Sequence, residues 1–228
     1  MTVLNRNSIT KALIVAGLIS WAGFANAGDF IVRAGLTTVA PQVDSSNVTV
    51  DGVGNVGMGV DVDNNTQLGL NFVYRYNANW ALEVLAATPF KHDITLEHTT
   101  DNELGLGDGT LAETKHLPPT VSALYYFNTS SEFQPYVGLG VNYTVFFDEE
   151  FKDARQQQTF SDLKLDNSWG LSAQVGFDYA LNDKWLVNAS ARYIDINTEA
   201  NFTVLDLPAK VSADIDPWVY SITLGYRF

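Results

Sequence analysis

Residues that could coordinate, donate or accept in useful spacing are few in this chain. Its three histidines are His92, His98 and His116. His92 and His116 flank one long polar segment, so facing positions at its ends would pair the imidazoles as metal ligands or a proton relay. The spacing specifies no third ligand, and no metal site is expected. The run Asp61-Val62-Asp63-Asn64-Asn65 loosely resembles a calcium loop but lacks the glycine at the sixth position and the glutamate at the twelfth. Asp148-Glu149-Glu150 reads as a solvated acidic run. There is no cysteine, which excludes disulfides, thiolate ligands and a Cys nucleophile. No Ser/His/Asp motif marks a catalytic centre. No enzyme, no metal and no cofactor is expected.

The remaining candidates are charges set into alternating apolar sequence: Arg33, Arg75, Glu83, Asp178, Arg192 and Arg227. Their role depends on the elements that carry them. Period two dominates, and period 3.6 is nowhere convincing. The cleanest stretch runs from Leu165 to Leu181, where odd positions are mostly apolar or aromatic and even positions small or polar. Similar alternation runs over 133–147, 68–76 and 218–228, with weaker versions starting at Phe30, Trp80, Leu117 and Trp185. Together these make eight candidate strands. Short Asn/Asp-rich connections lie at 77–79, 128–132 and 182–184; Asn and Asp tolerate left-handed backbone and bond their own turns. Long connections rich in Gly, Asp, Asn and Thr cover about 41–65, 92–114, 148–164 and 197–213. Short and long connections alternate. Antiparallel strands would therefore gather every short turn at one rim and every long loop at the other.

The N-terminus reads as an address. Arg6 and Lys11 precede an apolar run over 12–24, and Ala25-Asn26-Ala27 follows as a small-x-small cleavage signature. Residues 1–27 are expected to be a removed signal peptide and 28–228 the barrel domain. The 228 residues carry 13 Lys+Arg against 26 Asp+Glu, a formal net charge of −13. That balance argues against nucleic acid as a partner.

A soluble sandwich and a membrane barrel differ in which face is apolar. Soluble strands show Lys and Glu to water, but here the polar face is mostly Gly, Ser, Asn and Gln. Trp80 and Trp185 follow short turns, and Phe133 and Phe228 lie at the same rim, as an aromatic belt at a membrane boundary requires. The fold class is therefore all-β: an eight-stranded antiparallel transmembrane β-barrel with short periplasmic turns and four long extracellular loops. Parity points Arg33, Arg75, Glu83, Asp178, Arg192 and Arg227 into the lumen, where charges are expected to pair as a network. Leu85, Leu124, Tyr136 and Phe146 point the same way, making the lumen partly apolar; space-filling and passage of an apolar molecule both fit that pattern.

Several motifs resemble those of the outer membrane protein W (OmpW) family. They are Asn64-Asn65-Thr66-Gln67-Leu68-Gly69-Leu70, Leu85-Ala86-Ala87-Thr88-Pro89-Phe90, His116-Leu117-Pro118-Pro119-Thr120, Asp166-Asn167-Ser168-Trp169-Gly170, Asp216-Pro217-Trp218 and Gly225-Tyr226-Arg227-Phe228. The resemblance implies an eight-stranded barrel in the bacterial outer membrane that takes up small hydrophobic molecules. Its partners would be outer-membrane lipid and lipopolysaccharide, a small hydrophobic solute, and the barrel-assembly machinery that reads the terminal strand ending in Phe228. On this reading Leu85, Leu124, Tyr136, Phe146 and Arg192 form the channel and its constriction. Pro89, Pro118 and Pro119 lie in neighbouring strands, where proline weakens a ladder, and would form a lateral opening. The alternative is a structural, adhesion or receptor barrel acting through its loops.

Overall fold

A computed structural model describes residues 29–98, 109–156 and 160–228. The expected signal peptide lies outside them.

Among the described residues, eight strands close into an antiparallel barrel: β1 (Asp29–Ala40), β2 (Asn65–Arg75), β3 (Trp80–Ala87), β4 (Thr120–Tyr126), β5 (Phe133–Phe151), β6 (Ser168–Ala180), β7 (Trp185–Ile194) and β8 (Trp218–Arg227). Each pairs with its neighbours in sequence, and β1 with β8 closes the ring. Apart from one interval between β3 and β4, neighbouring strands of the wall pair along their length, as a hydrocarbon environment demands.

The alternation is inverted relative to a soluble sheet. Large apolar side chains face outward: Leu36 is 66% exposed, Leu139 73%, Trp169 70% and Ile222 68%. Aromatic pairs bound this belt. At the short-turn rim Trp80 meets Tyr125 at 5.0 Å, Trp185 meets Tyr226 at 4.9 Å and Phe228 meets Tyr226 at 4.8 Å. Towards the other rim Tyr143 lies 4.4 Å from Trp169, and Tyr193 5.8 Å from Trp218.

Inside, glycine makes room for bulk. Tyr136 projects inward opposite Gly176, where a Cβ would stand 2.6 Å from the Tyr136 ring. Gly225 clears Leu186 in the same way, at 2.6 Å. Small residues facing large ones let a narrow barrel fill its own lumen.

Among the described residues, the long connections are largely pleated. Strands Met58–Val62, Phe90–His98 and Gly109–Leu117 join the upper part of β5 in one sheet. Strands Phe160–Leu165, Asn197–Val204 and Leu207–Asp214 form a second. Between them lies an apolar core that includes Met58, Leu96, Leu111, Phe151, Phe160 and Phe202. Two boundaries differ from the sequence pattern. The alternation from Leu165 to Leu181 is broken, because Asp166 N–H donates to Glu199 O and Asn167 Oδ1 accepts from Phe146 N–H, so β6 begins at Ser168. The strand expected from Leu117 begins at Thr120, after two prolines that cannot donate to the ladder.

Candidate functional site

The lower lumen is a paired charge layer on an apolar floor. Glu83 on β3 accepts from Arg33 Nη1 at 3.0 Å, from Gln174 at 2.9 Å, from Asn71 at 3.3 Å and from Arg192 Nη2. Asp178 on β6 accepts from Arg33 Nη2 at 2.6 Å, Tyr126 Oη at 3.0 Å and Asn188 at 2.9 Å. Arg33, Glu83, Asp178 and Arg192 are all buried. Arg75 sits lower, donating to Gln134 at 2.7 Å and lying 4.1 Å over the Tyr126 ring. Arg227 stands apart: it is half-buried at the rim and pairs with Asp29 at 3.5 Å. Leu124 and Tyr136 pack with Ile31, Val73, Tyr126 and Leu186 in the floor. Parity marked the charged residues. It did not single out Asn71, Gln134, Gln174 and Asn188, whose inward parity was the one available signal.

Above the charge layer the lumen turns apolar. A small cavity of ≈ 30 Å³ is lined by Val39, Ile94, Phe146, Leu165, Ile196 and Ile215, with His92, His116, Thr114 and Thr144 as its polar members. Of the expected channel residues only Phe146 lines it. Leu85 lies below, Arg192 belongs to the charge layer, and Leu124 and Tyr136 belong to the floor. Four aromatic rings cluster there, three of them lining the cavity: His116 stands 4.9 Å from His92, 5.5 Å from Phe90 and 5.9 Å from Phe146. The two imidazoles are near parallel, at 12°. Among the described residues no group of three His, Cys, Asp or Glu side chains could hold a metal. Burial pushes the His116 imidazole down to about 3, and burial also lowers His92, against the pull of Asp63.

Beside this cavity the wall is interrupted. β3 and β4 pair from Trp80↔Tyr125 up to Leu85↔Thr120, and pairing resumes at Phe90↔His116. Ala86, Ala87, Thr88 and Pro89 therefore face Leu117, Pro118 and Pro119 without ladder bonds across the interval. Each flank is tied backwards instead. Thr88 N–H donates to Leu68 O at 3.0 Å, and Pro119 O accepts from Tyr143 N–H at 3.1 Å. The three prolines remove donors that would otherwise stand unpaired in hydrocarbon. Small Ala side chains leave the interval thinly covered.

A closed eight-strand wall, an apolar belt and an interrupted β3–β4 seam meet their counterpart in sequence: the OmpW family profile matches residues 26–228. The chain belongs to the OmpW family. It is 48% identical to outer membrane protein W of Vibrio cholerae over 226 residues, 98% of this chain and 100% of that protein. The crystal structure of OprG from Pseudomonas aeruginosa superposes with a TM-score of 0.82 at 47% identity, covering 89% of this chain and 96% of that one. A more distant relative, 29% identical over 90% of this chain and 91% of its own length, is the dibenzothiophene metabolism operon protein PahQ of Pseudomonas aeruginosa. This OmpW-family barrel is accordingly an outer-membrane protein, with its short turns periplasmic and its pleated long loops extracellular.

Proposed function

We propose that this barrel takes small apolar molecules from outside into the upper cavity and releases them sideways, through the β3–β4 interval, into the outer leaflet of the membrane. The observation that carries this is the unpaired interval beside an apolar cavity and above a charge layer. A solute moving straight down would have to separate Arg33, Glu83 and Arg192, whereas the sideways route crosses uncharged Ala, Thr, Leu and Pro residues. PahQ, named for an operon that metabolises an apolar aromatic compound, supports the solute class. Cleavage after Ala27, insertion by the barrel-assembly machinery and lipopolysaccharide around the extracellular sheets complete the reading. No catalytic role is assigned.

Uptake of a radiolabelled medium-chain apolar solute by deletion cells tests it. Restoring the gene speeds uptake. Replacing Pro89, Pro118 and Pro119 with Val or Thr, which can donate to a ladder, slows it towards the vector level. Leu85→Trp, at the lower edge of the interval, does the same. Equal uptake with and without correctly inserted protein rejects transport. The extracellular sheets, with an apolar core of their own, would then carry the function as an adhesion or receptor surface.

A further inference from the structure

The transport reading leaves two polar atoms unexplained. His92 Nε2 and His116 Nε2 are buried and have no hydrogen-bond partner among the described residues, although both side chains line the upper cavity. His92 is 1% exposed and His116 6%. Leaving a buried polar atom unpaired costs free energy, and a site that tolerates it discriminates for a ligand that repairs it.

We infer that His92 and His116 read an uncharged hydroxyl on an otherwise apolar molecule, so the cavity prefers an alkanol-like solute to the matching alkane. This rests on the reading of the cavity as the solute path and names its substrate class. His92 Nδ1 lies 2.6 Å from Asp63 O, a carbonyl that can only accept. Nδ1 therefore carries the proton, and Nε2 presents a bare lone pair. A hydroxyl donates to that lone pair and, in the complementary tautomer, accepts from His116 Nε2–H. An alkane does neither. A carboxylate lacks the donor, and an ammonium would enter an apolar pocket as an uncompensated charge. A metal ion fits poorly because two imidazoles are only two ligands, and no third His, Cys, Asp or Glu side chain joins them among the described residues. Depressed basicity keeps both imidazoles neutral at the pH of the medium, so no fixed charge competes for the site.

The test uses the intact protein, labelled with nitrogen-15 at histidine, in lipid nanodiscs. It is titrated with 1-octanol or octane at equal mole fractions in lipid. Methyl resonances of Ile94, Ile196 and Ile215 report occupancy, and the Nε2 resonances report hydrogen bonding. Octanol is expected to shift the His92 Nε2 resonance and to bind about fivefold more tightly than octane, the ratio one net hydrogen bond supplies. In His92→Phe that ratio falls to about one, as loss of a single net hydrogen bond requires. Equal binding of both solutes with unmoved Nε2 resonances overturns the inference and leaves the apolar-solute reading standing. Unmoved isoleucine methyls with both solutes remove that reading and the inference with it. The wild-type titration needs no variant, so misfolding of a substituted chain does not blur the result.

Discussion

The lower and upper halves of the lumen handle buried polarity in opposite ways. Below, Arg33 and Arg192 share Glu83, and Asp178 collects Arg33, Tyr126 and Asn188. Above, two imidazoles sit among apolar side chains, each with an Nε2 that no described residue satisfies. The contrast separates structure from function. A paired network holds strands of distant sequence in one register, with most of its polar atoms bonded and Arg33 Nε, Arg192 Nε and Asn188 Oδ1 left over. An unsatisfied Nε2 beside a cavity is, on the inference above, what selects the solute.

The sharpest way to break this contrast is to remove the shared acid. Glu83→Leu leaves Arg33 and Arg192 buried without their common carboxylate, and should destabilise the barrel by about 3–5 kcal/mol. Urea unfolding in lipid vesicles measures it, and a change below about 1 kcal/mol, the range of exposed pairs, would mean the network is not structural. Acidification should sharpen the contrast from the other side. The folded His116 imidazole titrates only near 3, whereas the unfolded one takes up a proton near its ordinary value of 6.5. Its contribution to stability is complete above that value and is lost as pH falls towards 3. The loss is about 2 kcal/mol by about pH 5. Hydrogen exchange should show it first in the strands bearing His92 and His116, and equal protection at both pH values would contradict the buried, neutral assignment.

Packing gives a comparable but smaller effect. Gly176→Ala places a methyl 2.6 Å from the Tyr136 ring. It should cost about 1–3 kcal/mol in the same unfolding assay. A glycine-to-alanine change that stabilises would mean the floor is loosely filled. The smallest effect belongs to the outer face of the extracellular sheet. There hydrogen bonds from Lys152 and Lys91 hold the Glu113 carboxyl down to about 2. Those side chains are partly exposed, so Lys152→Met should cost less than about 1 kcal/mol and depend on salt. A large, salt-independent loss would erase the difference between solvated and buried pairs.

Much of this was legible in the residues. Period two alone separates inward from outward positions, so the inward placing of Arg33, Arg75, Glu83, Asp178 and Arg192 followed from parity. Other features were not legible. Arg192 and Glu83 are 109 positions apart. Nothing local says that they meet, because the meeting depends on strand tilt and the closure of β1 on β8. Phe146 and Tyr136 lie on the same strand face, yet one lines the cavity and the other plugs the floor. Their height above the charge layer decides that, and height is a property of the whole ring.

The sequence by itself determined the barrel, its orientation of faces, its two kinds of connection and the proline-marked seam, because each is encoded in local alternation or local backbone chemistry. Only the tertiary structure decided where the β3–β4 ladder is interrupted. The offset between Leu85↔Thr120 and Phe90↔His116 arises from pairing across a long connection. The same pairing stacks His92 on His116 and turns two loop-flanking histidines into two of the polar members of one apolar cavity.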